Sequence, residues 1–159
     1  MAETREIYLA GGCFWGMQAY LDKLPGVVET EVGYANGTTE APTYEEVCSG
    51  TTHHAETVHV TYDPAVIGLP LLLAAYLEVI DPTSVNKQGE DEGEQYRTGI
   101  WWTDSADAEV VASALAKATA KLPEGAGPVV VQTGDVQGFW PAEEYHQKYL
   151  AKDPCGYCH

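Results

Sequence analysis

The strand-like run Ile7-Tyr8-Leu9-Ala10 is cut by the pair Gly11-Gly12, and the apolar residues beyond it, Phe14, Met17, Leu21 and Leu24, recur at helical spacing until Pro25-Gly26 stops them. A strand feeding a helix through two glycines points to a mixed α and β architecture and puts Cys13 in the first turn of that helix. Downstream the period keeps switching. Val28, Thr30, Val32 and Tyr34 alternate with Glu29, Glu31 and Gly33, the pattern of a half-buried strand ending at the Asn36-Gly37 turn. Glu56 to Tyr62 alternates again, with Val58, Val60 and Tyr62 on one face and Glu56 in phase with them. A buried helix over 70–79, a strand over 98–103, a helix capped by Asp104 or Ser105 with Val111, Ala114, Leu115, Ala118 and Leu122 inward, and a strand over 129–132 complete the pattern. The order strand, helix, strand, strand, helix, strand predicts an α+β fold, a ferredoxin-like α/β sandwich with a βαββαβ core, an added helix and strand, and an irregular C-terminal tail.

With 159 residues, 45% of them hydrophobic, the chain suits one domain able to bury a continuous core without disulfides or metals. No repeat or linker divides it, and its richest Gly/Pro patch, Pro123-Glu124-Gly125-Ala126-Gly127-Pro128, is only loop-sized. We therefore expect a single domain over residues 1–150 with a tail over 151–159, and a monomer. Acidic residues outnumber basic ones 24 to 8, for a net charge of -16, so the chain's field repels nucleic acid and anionic membranes. The charged start Met1-Ala2-Glu3-Thr4-Arg5-Glu6 lacks the basic-then-apolar order of a signal peptide, and the apolar run from Leu69 to Ile80 is far short of the ~20 residues of a membrane span. A cytoplasmic location is expected.

The four cysteines, Cys13, Cys48, Cys155 and Cys158, are too unevenly spaced for a secreted disulfide scaffold and suit catalysis or metal binding in a reducing compartment. A thiol becomes a strong nucleophile only as thiolate, which the net charge opposes. At Cys13 the start of the helix compensates, through backbone N–H groups and the positive end of the helix dipole. Glu56, on the valine face of its strand, should be buried and therefore inclined to keep its proton, as a general acid must. The loop Gly89-Glu90-Asp91-Glu92-Gly93-Glu94-Gln95-Tyr96-Arg97 does not have the spacing of an EF-hand and reads as a solvated acidic turn in which Arg97 pairs with an acid. The tail Pro154-Cys155-Gly156-Tyr157-Cys158-His159 leaves two readings open: a mobile thiol pair that travels to another cysteine, or zinc held by Cys155, Cys158 and His159 with Cys48, His53 or His54.

Taken together, the ordered motifs Gly11-Gly12-Cys13-Phe14-Trp15-Gly16, Pro42-Thr43-Tyr44, Val47-Cys48-Ser49-Gly50, His54-Ala55-Glu56, Gln88 to Arg97, Ala142-Glu143-Glu144-Tyr145-His146-Gln147 and Gly156-Tyr157-Cys158 resemble the peptide methionine sulfoxide reductase A family over almost the whole chain. The resemblance implies reduction of methionine (S)-sulfoxide, free and in peptides or proteins. In that reading Cys13 attacks the sulfoxide sulfur, Phe14 and Trp15 form the pocket for the substrate methyl group, and Glu56 protonates the oxygen. It further implies that Tyr44 and Tyr96 hydrogen-bond that oxygen, that Asp91 helps position the site, and that Cys13 is left as sulfenic acid. Cys158 matches the resolving position, with Cys155 as an alternative resolver or relay; Cys48 would be structural. No cofactor or metal is implied, and thioredoxin is the external reductant.

Three positions depart from the family pattern: His53 stands for a glycine, Glu90 for an asparagine and Gln18 for a glutamate, none of them a named catalytic group. Two other readings compete. A thiol-disulfide oxidoreductase would use Cys155 and Cys158 as its primary centre, although such a pair normally opens a helix rather than ending a chain. A zinc-binding interaction module would carry stoichiometric metal and unfold on chelation.

Overall fold

The computed structural model describes residues 4–49, 52–88, 91–143 and 146–147, with 91 and 92 described in their backbone only. Strand β1 (Arg5–Ala10) leads through the glycine pair into helix α1 (Phe14–Asp22), then strand β2 (Val27–Ala35), the short helix α2 (Tyr44–Cys48) and strand β3 (Ala55–Tyr62). Helix α3 (Leu69–Val79) follows, then the two-residue strands β4 (Lys87–Gln88) and β5 (Asp91–Glu92), a 3-10 turn over Glu94–Tyr96, strand β6 (Gly99–Trp102), helix α4 (Asp107–Ala120), and strands β7 (Gln132–Asp135) and β8 (Phe139–Pro141).

Six strands form one mixed sheet in the order β7-β6-β1-β3-β2-β8, while β4 and β5 pair separately. Every ladder in the large sheet is antiparallel except β6 with β7. The inward residues of β1 and β3, Ile7, Leu9, Val58 and Val60, join Phe14, Met17 and Leu21 of α1 and Leu72, Leu73 and Tyr76 of α3 in one buried cluster. Burial of this apolar area supplies the main driving force. A smaller cluster of Tyr8, Ala10, Ala35, Ala55 and Trp101 lies apart from it, packed by Val136 and Phe139.

Four expectations need correction. Val28 was placed inward by alternation, yet a register shift between Val27 and Glu29 in the β2–β3 ladder turns it out, leaving it 58% exposed. The strand expected over 129–132 is displaced to Gln132–Asp135, because only these residues lie opposite Gly99–Trp102, while the Val130 N–H donates to the Pro82 carbonyl at 2.7 Å. Cys13 is the N-cap of α1 rather than a residue of its first turn. The N-cap of α4 is Ala106, without a side-chain cap, rather than Asp104 or Ser105; the Asp104 carboxylate accepts from the Ala106 N–H at 2.9 Å in the turn that precedes the helix. Helix α2 was missed; it rests on a capping box in which Thr43 Oγ1 accepts from the Glu46 N–H and the Glu46 carboxylate from the Thr43 N–H. Strand β8, also missed, is three residues long and pairs with Gly33–Ala35, where a Cβ on Gly33 would stand 2.5 Å from the Trp140 carbonyl oxygen.

Candidate active site

The site grows from the end of β1. Gly12 adopts φ +72, a left-handed conformation suited to glycine, and a Cβ there would meet Gln88 at 3.0 Å. Its N–H donates to the Tyr96 carbonyl at 3.1 Å, tying the turn to the loop before β6. Tyr76 of α3 supports the turn from beneath: its buried hydroxyl donates to the carbonyls of Ala10 and Gly99, which face each other across the β1–β6 ladder. Cys13 is thereby held half-buried at the mouth of α1, its backbone extended and its carbonyl accepting from Met17 N–H, with no acidic residue in the helix's first turn.

Glu56, paired opposite Tyr34 on β3, is 1% exposed despite its place near the strand's start. Its Oε1 accepts from the Phe14 N–H at 3.2 Å, so the carboxyl is bonded to the residue that directly follows Cys13. Its Oε2 lies 3.4 Å from Gln95 Nε2, which also donates to Cys48 Sγ at 3.2 Å. The same bond to Phe14 means that one of the helix's leading N–H groups serves Glu56 instead of the sulfur.

Tyr44 opens α2 half-buried, in reach of both Cys48 and Glu56. Burial, the neighbouring carboxyl and a hydrogen bond with Cys48 push its phenol well above the usual tyrosine range, so it remains a neutral donor. Tyr96 is half-buried and close enough to Tyr44 to add to that shift. Phe14 is buried and its ring lies 6.4 Å from that of Tyr44. Trp15 is half-exposed and donates from its indole Nε1 to His146 Nδ1 at 2.9 Å.

Cys13, Phe14, Trp15, Tyr44, Glu56 and Tyr96 are thus brought to one end of the sheet. Asp91 lies on β5, with its side chain outside the described residues, and Cys155 and Cys158 are likewise outside them. Cys48, expected to be structural, is exposed and bonded to Gln95. Arg97, expected to pair with an acid, spends its guanidinium mainly on neutral acceptors, Gln132 Oε1 and the carbonyls of Glu94 and Asn36, at 3.1–3.2 Å, with Glu94 Oε1 farther off at 3.9 Å. His53 has φ +59, which accounts for glycine being common at that position in the family it resembles.

Gln95, Glu143 and His146 also bond to site residues, although no sequence period marks them. Glu143 accepts from the Tyr34 hydroxyl at 2.9 Å and from the Tyr44 N–H at 3.1 Å, and so locks α2 to β2. Gln147 pairs its side-chain amide with both backbone groups of Val32, extending the sheet's bonding by one side chain. In the sequence this segment is a motif of the resemblance; its run of polar residues has no period from which these contacts could be read.

The whole-chain comparison agrees with the local geometry. The family model described as peptide methionine sulfoxide reductase matches residues 5–159. The chain belongs to the peptide methionine sulfoxide reductase family. Among members of that family, the chain is 53% identical over 156 residues to the peptide methionine sulfoxide reductase MsrA of Lachnoclostridium phytofermentans, covering 98% of this chain and 92% of the relative. It is 50% identical to that of Clostridium perfringens strain 13, covering 98% and 97%. Of solved structures, Mxr1 from Saccharomyces cerevisiae in reduced form matches with a TM-score of 0.88 and 37% identity over 98% of this chain and 89% of that one. Methionine sulfoxide reductase A of Corynebacterium diphtheriae matches with 0.87 and 36% over 98% and 77%. The peptide methionine sulfoxide reductases are oxidoreductases, and the fold shared with these structures is a mixed α+β one.

Proposed function

We propose that this chain reduces methionine (S)-sulfoxide, free and in peptides or proteins, with Cys13 as nucleophile and Glu56 as proton donor. The observation that carries the reading is the 3.2 Å bond from the Phe14 N–H to Glu56 Oε1, which holds a nearly inaccessible carboxyl beside the nucleophile's own backbone. Desolvation at such a site opposes ionisation of the carboxyl, and a neutral acid is what a departing sulfoxide oxygen requires. The Cys13 thiolate attacks the sulfoxide sulfur, Glu56 supplies a proton to the oxygen, and Tyr44 and Tyr96 donate hydrogen bonds to it as charge builds. Oxygen passes to sulfur: the thiol and sulfoxide become sulfenic acid and methionine. Phe14 and Trp15 hold the substrate methyl group, and Asp91 helps to position the site.

Cys158, or Cys155 in its place, then condenses with the sulfenic acid, releasing water and forming a disulfide that thioredoxin reduces by exchange. The net reaction converts sulfoxide and dithiol to methionine, disulfide and water, with no bound cofactor. The strand order β6-β1-β3-β2, crossed by α1 and α3, supports the finer description of the core as ferredoxin-like with added strands β7 and β8. We read residues 1–150 as the catalytic domain and 151–159 as the tail bearing the resolving thiol. We read the chain as a monomer, and its dependence on free thiols suits the cytoplasm.

The test is single-turnover reduction of a methionine S-sulfoxide peptide. Cys13→Ser is expected to form no methionine, and Cys158→Ser to form about one equivalent without thioredoxin-driven recycling. Full activity in the Cys13 variant removes the mechanism; sustained turnover in the Cys158 variant moves resolution to Cys155.

A further inference from the structure

Trp15 carries an indole N–H that is partly withdrawn from water and so requires an acceptor. It finds one in His146 Nδ1, 2.9 Å away. A nitrogen that accepts from an N–H carries no proton itself, so this geometry fixes His146 as the tautomer protonated at Nε2. His146 is 1% exposed, and its ring lies 5.6 Å from that of Trp15, 5.4 Å from Phe14 and 4.4 Å from Tyr44. One imidazole therefore packs against all three of the aromatic side chains Phe14, Trp15 and Tyr44. Its own placement is firm: its N–H donates to the Glu143 carbonyl, while Glu143 and Gln147 on either side of it are bonded to Tyr34, Tyr44 and Val32.

We propose that His146 is a positioning residue for substrate binding, orienting the Trp15 indole in the methyl pocket by accepting its Nε1–H at Nδ1. The inference rests on the assignment of Phe14 and Trp15 to that pocket. A half-exposed tryptophan at the first turn of a helix has several rotamers open to it. The directional bond and the imidazole stacked on the indole at 5.6 Å select one of them. Burial also pushes His146 below the usual histidine range, which keeps Nδ1 available as an acceptor near neutral pH. No proton transfer to substrate is assigned to it. Its effect belongs to binding, and hence to the substrate concentration at half-saturation.

Two substitutions separate the hydrogen bond from the ring. His146→Phe keeps an aromatic ring and removes the acceptor; His146→Asn gives up the ring but places an amide oxygen near the position of Nδ1. In the native protein, long-range 1H–15N spectra are expected to show His146 protonated at Nε2. The Trp15 indole resonance, assigned by its loss in Trp15→Phe, is expected to shift upfield in His146→Phe and to stay near its native position in His146→Asn. In single-turnover reactions, His146→Phe is expected to raise the half-saturating sulfoxide concentration about tenfold, with less than a threefold change in maximal rate, and His146→Asn to recover most of that loss. An indole resonance and half-saturation both unchanged in His146→Phe overturn the inference, as does a loss confined to maximal rate. If Trp15→Phe alone leaves half-saturation unchanged while the indole still shifts in His146→Phe, the pocket assignment is what fails, and the hydrogen bond has no role in binding.

Discussion

Replacing Glu56 by glutamine keeps the side chain's volume and removes only its capacity to deliver a proton. One oxygen of the new amide still accepts from the Phe14 N–H, as Glu56 Oε1 does at 3.2 Å. The new NH2 group then faces Gln95 Nε2, which now stands 3.4 Å from Glu56 Oε2, so two donors meet unless the Gln95 amide turns over and gives up its bond to Cys48 Sγ. One mispaired buried hydrogen bond costs about 1–3 kcal/mol. For a chain of this size each kcal/mol lowers Tm by about 2–4 °C, so the variant should melt only modestly earlier and remain folded at assay temperature. Loss of a general acid lowers the rate by about 10²–10⁴. Rapid-quench single turnover, with methionine quantified chromatographically and Tm followed by circular dichroism, measures both quantities. A folded Glu56→Gln variant whose chemical step runs within threefold of native would refute the reasoning, since the proton would then come from elsewhere.

Tyr76→Phe strips two buried carbonyls, those of Ala10 and Gly99, of their shared donor without altering the ring, and should cost about 1–3 kcal/mol in urea denaturation; a change below 0.5 kcal/mol, roughly the noise of such measurements, counts against its role under the Cys13 turn. His54 accepts from the Gly37 N–H at Nδ1 and donates to the Thr39 carbonyl, and burial lowers it from 6.5 in the folded state, so below about pH 6.5 the unfolded chain takes up the proton first and stability falls. Because acidification also relieves the chain's own repulsion, the informative quantity is the stability gap between the native chain and His54→Asn, which should narrow from pH 8 to pH 5, in roughly the range where histidine titrates; a widening gap reverses the sign of the argument. Exhaustive chelation should leave both Tm and turnover unchanged, whereas loss of structure together with release of stoichiometric zinc would favour the metal reading of the tail.

The main elements were legible wherever a face is buried along a regular element. Leu9, Val58 and Val60 repeat at a period of two, Met17 and Leu21 near a helical period, and the core that they form is the one observed. Glu56 was legible for the same reason, being the polar residue that shares the phase of buried valines. Val28 was misread because a bulge leaves composition unchanged while reversing which face a residue occupies. Strand β7 was misplaced because its own residues, Gln132 to Asp135, are polar, and its position is set by pairing with β6, not by apolar pattern. Gln95, Glu143 and His146 act through side-chain hydrogen bonds between segments far apart in sequence, a class of contact that leaves no periodic trace.

The claim on which the account turns is that Cys13 is the atom that takes oxygen from the substrate. It is measured directly by reacting a Cys155→Ser/Cys158→Ser double variant with one equivalent of methionine S-sulfoxide peptide in the presence of a sulfenic-acid trap and mapping the adduct by peptide mass spectrometry. One adduct is expected, on the peptide carrying Cys13, formed in step with methionine. Methionine release with the adduct on Cys48, or with Cys13 recovered as free thiol, would contradict it.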